Sequence, residues 1–200
     1  PGHGGQDIGA RGARGVEEKR AVLDIARRIR AHLVSAGVKV YMTRESDRFV
    51  ELDERCVRAA RWGADVFISI HLNSAANSAA QGTETYVLAA AGYESTAGGL
   101  SNLSQPGNRF EGANAVLGYH VHKALTTKIG AQNRDVKRSR FLVLKNAPCP
   151  AVLVECGFVS NRREEERLLS EAYRESIAQG ISRGTLSYLN LVKRSKVQAP

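Results

Sequence analysis

The sequence predicts a single α/β domain in which helices flank a largely parallel, twisted sheet. Three observations support this class. Segments with the composition of strands alternate with segments of helical periodicity along most of the chain. Two of those strands are almost wholly apolar, as expected when both faces of a parallel sheet are covered. A length of 200 residues, with 42% hydrophobic and 24% charged residues, is typical of one globular domain.

A glycine-rich loop over residues 1–15 and a helix over 16–36 begin the chain. The loop allows tight turns and a close backbone approach to a ligand. In the helix, Val22, Ile25, Ile29 and Leu33 recur at helical spacing. We expect the helix to end at Gly37, a residue typical of the position after a helix.

Four elements are predicted between this helix and residue 88. They are a strand over 38–43, a helix over 51–62 with Leu52, Cys56 and Ala59 facing inward, a strand over 65–71 and a strand over 82–88. A long surface loop, rich in Gly, Ser and Asn, is predicted over 89–109.

The second half of the chain again alternates helices and strands. The predicted elements are a helix over 110–130, short strands over 141–144 and 151–156, a helix over 161–170 and a closing helix over 171–189. Asn161 is expected to cap the helix over 161–170, with Glu164 completing a capping box. We expect one domain over residues 1–190 and a frayed tail over 191–200.

The net charge and the composition indicate which classes of partner the protein is expected to bind. A net charge of +9 and a pI near 9.8 favour attraction to nucleic acid, anionic lipid or an anionic cell-wall polymer, with a merely solvated basic surface as the alternative. The basic residues are scattered and aromatic content is 6%, which argues against a nucleic-acid module. No apolar run approaches the ~18 residues of a membrane span. Cys149 and Cys156 lie too far apart along one extended segment for a disulfide and are expected to be buried thiols.

Three residues of suitable chemistry point to a metal site. Two histidines and a glutamate, with water in a fourth position, form the ligand set of a catalytic zinc ion. His71 ends a predicted strand, and ligands of α/β sheets bind outside the carboxyl ends of strands. Glu18 lies on the buried stripe of its helix, although a favourable charge at the helix N-terminus would explain it equally. His3, in the glycine-rich loop, could equally be an ordinary surface histidine.

A fourth candidate is Glu155, near the end of the apolar strand 151–156. A carboxyl group in such a strand is costly to bury without a partner. All four candidate side chains can reach the same edge of the sheet, where Glu155 would act on a bound water.

The sequence resembles the zinc-dependent N-acetylmuramoyl-L-alanine amidases that cleave bacterial peptidoglycan. The segments PGHGGQDIGARG, FISIHLNSA, GTETYVL and FLVLKNAPCPAVLVECGFVSN support this resemblance, which spans nearly all of residues 1–190. It implies that His3, Glu18 and His71 bind one Zn²⁺ per chain and that Glu155 is the catalytic base. The family's usual first strand and Asp before PGHGG are absent, so we expect the protein to continue before Pro1.

Weaker candidates follow from the same resemblance. Asn73 and Arg44 lie beside the motifs and could orient substrate or loops, or be structural. The basic run Arg134–Arg140 is interpreted as a solvated loop, with contact to stem-peptide carboxylates as the alternative. Some relatives plug the zinc site with a helix in the region of 89–109. Here that loop is too rich in glycine, so we expect an open site, with Glu94 and Glu111 as the candidate plug carboxylates.

The expected function is hydrolysis of the bond between N-acetylmuramic acid and L-alanine, in the periplasm or the cell wall. We expect the protein to be a monomer that binds peptidoglycan, does not bind nucleic acid and has no membrane span. Whether it needs a protein activator stays open. Two alternatives remain: a zinc carboxypeptidase-like hydrolase of wall peptides, and a non-catalytic protein that binds the cell wall or polyanions.

Overall fold

A four-stranded mixed sheet forms the centre of the computed structural model, which describes residues 1–198. Its strands are β1 (Phe67–Asn73), β2 (Thr83–Leu88), β3 (Asn133–Ser139) and β4 (Ala151–Phe158), in the spatial order β1-β4-β2-β3. β1 is parallel to β4 and β2 is parallel to β3, whereas β2 and β4 are antiparallel. The predicted α/β class with a largely parallel sheet is thus confirmed.

Helices cover both faces of the sheet. They are α1 (Glu18–Ser35), α2 (Leu52–Arg61), α3 (Glu111–Ile129), α4 (Leu142–Lys145), α5 (Arg162–Leu169) and α6 (Glu171–Gln198), with a 3₁₀ turn over Pro106–Phe110. The larger core lies between the sheet and α1, α3 and α6, and a smaller core lies under α2 and α4. Among the described residues, no helix is both long and apolar enough to cross a bilayer.

The predicted strand over 38–43 does not form. The segment is not hydrogen-bonded into the described sheet, and a cavity of about 240 Å³ is lined by both this segment and β1. Its apolar alternation instead directs Val40 and Met42 toward that cavity and the neighbouring helix α1. Alternation predicts a half-buried extended segment, but a strand also needs a partner backbone at the right distance.

Two further predictions around residue 140 are wrong. The run 141–144 is not a strand: Phe141 is the N-cap of the short helix α4, which begins at Leu142, because a run of four apolar residues fits either structure. The basic run Arg134–Arg140 is not a loop but supplies most of β3, the edge strand beside β2.

Smaller differences concern helix α2, helix α5 and the tail. Leu52 is exposed, and Arg55 takes the inward position together with Cys56 and Ala59. Asn161 caps α5 as predicted, but Glu164 turns away from the cap to bind the backbone of β4. Helix α6 continues through residues 191–198, where a frayed tail was expected. The three cysteines are buried free thiols.

Candidate metal centre

The loop before α1 brings His3 against β1. The Gly2 amide donates to the Ile70 carbonyl at 2.9 Å, which fixes the loop to the strand at the residue directly before His71. A Cβ on Gly2 would lie 2.2 Å from the His71 ring, and a Cβ on Gly9 would lie 2.5 Å from a Glu18 oxygen. Gly9 also has a φ of +65°. These glycines are therefore required for the close approach of the loop to both side chains.

Three side chains converge on one point. Oε1 of Glu18 lies 3.0 Å from Nε2 of His3 and 3.0 Å from Nδ1 of His71. One ligand atom from each residue falls within 4.8 Å of the other two. Ligands at ~2.0–2.2 Å from a tetrahedral ion are roughly 3.3 Å apart, so small side-chain adjustments suffice to accommodate an ion. The group can hold a metal, and its two nitrogens and one carboxylate oxygen fit zinc chemistry.

Neighbouring groups fix the orientation of these side chains. Nδ1 of His3 lies 2.8 Å from Oδ2 of Asp7, so Nε2 of His3 is directed toward Glu18. Asp7 in turn accepts a hydrogen bond from the Gly9 amide at 3.1 Å. A carboxylate behind a ligating histidine is the usual way to fix its tautomer and ring plane. Sequence analysis missed Asp7, although its position four residues after His3 was a usable signal.

Glu18 is buried and ionised. One oxygen accepts from the Ala10 amide at 2.8 Å and the other from the Leu72 amide at 3.0 Å. Burial raises the pKa of Glu18, but hydrogen bonds and charge from the two histidines outweigh it and hold the pKa at about 2. Burial also lowers the pKa of His71, against the opposing effect of Glu18. The group thus offers a carboxylate at Glu18 and an imidazole at His71 that burial favours in its neutral form. Burial also lowers the pKa of His3, but its contacts with Glu18 and Asp7 outweigh burial and raise that pKa, so a metal ion would displace a proton from His3.

Glu155 lies beside this group on the sheet. It is the register partner of His71 on β1 and of Glu84 on β2, so all three side chains project from the same face. Oε2 of Glu155 is buried without a hydrogen-bond partner among the described residues. Burial, and then the charges of Glu18 and Glu84, raise the pKa of Glu155 well above its ordinary value. An orphaned acid beside three candidate ligands is an arrangement suited to proton transfer.

The two weaker candidates have different roles. Arg44 is fully buried, and its guanidinium donates to the Gly2 carbonyl at 2.6 Å and the Lys19 carbonyl at 2.8 Å. It therefore holds the loop against α1 and cannot contact substrate directly. The Asn73 amide donates to Glu84 at 3.1 Å.

A second buried arginine was missed by sequence analysis. Arg55 of α2 donates to the His3 carbonyl at 2.9 Å and to the Pro1 carbonyl at 2.6 Å. Its helical spacing relative to Ala59 was the available signal, because that spacing puts it on the inward stripe. Neither Glu94 nor Glu111 belongs to the metal-capable group found in the described residues, and the open site stays a prediction.

The fold and the site define an α/β domain with a candidate metal centre beside the C-terminal halves of the neighbouring strands β1 and β4. The family model for N-acetylmuramoyl-L-alanine amidases matches residues 1–187. The chain belongs to this family, as the sequence motifs predicted.

Characterised relatives agree with this assignment. The chain is 36% identical to the amidase LytC of Bacillus subtilis over 189 residues, which cover 94% of this chain and 34% of LytC. It is 32% identical to the amidase AmiA of Escherichia coli over 224 residues, covering all of this chain and 78% of AmiA. The solved catalytic domain of the amidase CwlV of Bacillus (Paenibacillus) polymyxa superposes with a TM-score of 0.80 at 33% identity, and 94% of each chain is covered. The chain thus spans about a third of LytC but most of AmiA.

Proposed function

We propose that this domain hydrolyses the amide bond between N-acetylmuramic acid and the L-alanine of the peptidoglycan stem peptide, with one Zn²⁺ held by His3, Glu18 and His71. The convergence of these three ligand atoms beside the orphaned Glu155, in a chain of this family, is the observation that supports it. The relatives LytC and AmiA are N-acetylmuramoyl-L-alanine amidases, which cleave this class of bond. Its place of action would be the periplasm or the cell wall, and we expect a monomer.

The division of labour follows from the chemistry of the residues. A bound zinc ion supplies Lewis acidity, which lowers the pKa of water toward ~7 and polarises the scissile carbonyl. Glu155 accepts the proton of the attacking water at its carboxylate and passes it to the departing amine of L-alanine. Its raised pKa suits both steps, since a group that takes and returns a proton works best near the ambient pH. Asp7 keeps Nδ1 of His3 protonated, so that Nε2 stays available as a ligand.

Two substitutions separate the roles of ligand and base. Glu155→Gln is expected to retain zinc, measured by elemental analysis, and to lose roughly 10²–10⁴-fold of the rate of peptide release from purified sacculi. His71→Ala is expected to lose both zinc and activity. Glu166→Gln, which changes an exposed glutamate away from the site, serves as the control and should match the unsubstituted protein.

The products distinguish the alternatives. An amidase releases an intact stem peptide with a free L-alanine N-terminus, whereas a carboxypeptidase releases single C-terminal amino acids. Binding of sacculi without any release would instead indicate a wall-binding protein. Undiminished turnover in Glu155→Gln would exclude Glu155 as the base, and full zinc occupancy in His71→Ala would remove His71 from the ligand set.

A further inference from the structure

Glu84 is a second buried carboxylate beside the candidate base. It lies on β2 directly opposite Glu155 and is almost completely buried. Four side-chain donors saturate its two oxygens: Asn73 Nδ2 at 3.1 Å, Tyr86 Oη at 2.6 Å, Arg134 Nε at 2.5 Å and Lys137 Nζ at 2.7 Å. With every lone pair engaged in this way, Glu84 acts as an anchor for its partners rather than as a proton acceptor.

A bulge in β3 brings the two cations together. Arg134 and Lys137 are three positions apart, so a regular strand would place them on opposite faces of the sheet. Here β3 has two residues, Arg134 and Asp135, opposite the single residue Glu84. Asp135 takes up the extra length with a φ of +69°. The bulge thereby turns both cations toward Glu84, which is how bulges redirect side chains next to functional sites.

The group formed by Glu84, Arg134 and Lys137 has a net positive charge. Arg134 and Lys137 share Oε1 of Glu84, so two cations face one anion. Their side chains remain 32% and 22% exposed. Within residues 1–198 the terminal guanidinium nitrogens of Arg134 have no hydrogen-bond partner, and its guanidinium is held over the Phe158 ring at 5.1 Å. Arg134 and Lys137 therefore present hydrogen-bond donors and an excess positive charge to solvent beside Glu155.

We propose that Arg134 and Lys137 form a subsite for a carboxylate of the stem peptide, an inference that rests on the proposed function. In the intact polymer the amide-linked muramic acid is uncharged, whereas the stem peptide carries free carboxylates. Two strand spacings separate β3 from β4, or roughly 10 Å, and an extended peptide advances ~3.3 Å per residue. The charged ends of both side chains reach back to Glu84 on β2, so the carboxylate bound here belongs to one of the first few residues after the scissile bond. A guanidinium with free terminal nitrogens is suited to bind it in a bidentate manner.

Two muramyl tripeptides test the subsite, one with free carboxylates and one with every carboxylate converted to the carboxamide. We expect the zinc-loaded protein to cleave the acid with a kcat/KM at least ~10-fold higher, mainly through KM, because a tenfold preference needs only ~1.4 kcal/mol. Arg134→Gln and Lys137→Gln should each reduce this preference, and the double variant should bring it to about 1. Arg138→Gln is the matched control, since it removes an exposed charge from the same strand without contacting Glu84.

Direct binding separates this inference from the proposed function. Calorimetry with zinc-loaded Glu155→Gln should show the same preference for the acid without turnover. Equal Kd values for acid and carboxamide, or the same loss of preference in Arg138→Gln as in Arg134→Gln, would overturn the subsite. Preferential binding of the acid with no cleavage by the unsubstituted protein would overturn the amidase assignment and leave the subsite in place. Thermal melting of each variant identifies any loss of preference that comes from unfolding.

Discussion

The carboxyl group of Glu155 is costly to the fold on its own. One of its oxygens is buried without a partner, and two other carboxylates lie nearby. A buried polar group left unsatisfied costs ~1–3 kcal/mol, and its ionisation would add to that. Such a residue destabilises the domain at the point where the proposed reaction needs a proton acceptor.

This cost predicts a pH dependence for the metal-free chain. Because the pKa of Glu155 rises above its ordinary value of 4.5 on folding, the folded state binds a proton that the unfolded state releases. Protonated Glu155 is less costly to the fold than ionised Glu155, so the effect of Glu155 on stability is most favourable below about pH 4.5. That stability is lost as the pH rises through the folded-state pKa of Glu155. Urea unfolding between about pH 4 and pH 8, in chelator, should show Glu155→Gln gaining stability relative to the unsubstituted chain as pH increases.

Taking the difference between the two proteins removes the other titrating groups from the comparison. Both proteins retain Glu18 and His71, whose own pKa shifts then cancel. A stability difference that stays constant across this range would show that Glu155 ionises normally in the fold.

Individual side chains differed in how well the sequence predicted them. His3, Glu18, His71 and Glu155 could be selected as candidates from their chemistry and positions, but these left the roles of His3 and Glu18 open, and the resemblance to the amidases was needed to favour them as ligands. The roles of Asp7, Arg55 and Glu84 depend on contacts with residues whose proximity only the fold reveals. Glu84, for example, is an ordinary residue of an alternating strand until β3 and β4 enclose it.

Among the elements, the loop before α1 depends most on distant parts of the chain. Arg44 and Arg55 hold its carbonyl groups at one end. At the other end, Glu165 of α5 accepts from the Arg14 amide at 2.7 Å and the Val16 amide at 3.3 Å. The loop carries His3 and leads directly into Glu18, so these contacts set the geometry of two candidate ligands.

Adjacent glutamates in α5 allow a matched test of this anchoring. Glu165→Ala should reduce the free energy of unfolding by ~1–3 kcal/mol, because it leaves the buried amide of Val16 and the partly buried amide of Arg14 unpaired. It should also weaken zinc binding. Glu166→Ala removes an exposed ion pair to Arg14 at 3.5 Å and should change stability by less than ~0.5 kcal/mol. Urea denaturation and competition with a chromogenic chelator measure the two effects, and equal losses in both variants would show that the loop does not depend on Glu165.

Elements were predictable where their periodicity was long. The spacing in α1 and α3 gave both helices to within two residues of their ends. The segment 38–43 and the run 141–144 are too short for periodicity to decide, and their structures depend on what lies beside them. The strand β3 was missed because a basic edge strand with a bulge has neither apolar alternation nor high strand propensity.

At the scale of the whole molecule, the candidate ligands join the first loop and the start of α1 to β1, which is distant from both in sequence. A metal ion bound by them would bind the folded chain only, and a ligand of this kind stabilises by mass action. At a free zinc concentration 100 times Kd, we expect a gain of about 2.7 kcal/mol. For a domain of this size, each kcal/mol raises Tm by ~2–4 °C, so zinc should raise Tm by several degrees.

Differential scanning calorimetry with zinc and with chelator measures this gain. His71→Ala should melt at the same temperature under both conditions, whereas Glu155→Gln should keep the response to zinc. A Tm that is insensitive to zinc in the unsubstituted chain would show that the three side chains do not bind it.

The order of the strands has a consequence for how this chain matures. β1 and β2 do not pair with each other; β4, the last strand in sequence, inserts between them and carries Glu155. A chain emerging from the ribosome therefore holds all three candidate ligands long before it has the acid beside them or the middle of its sheet. The proposed base therefore joins the candidate ligands only once β4 has been made and has paired with β1 and β2.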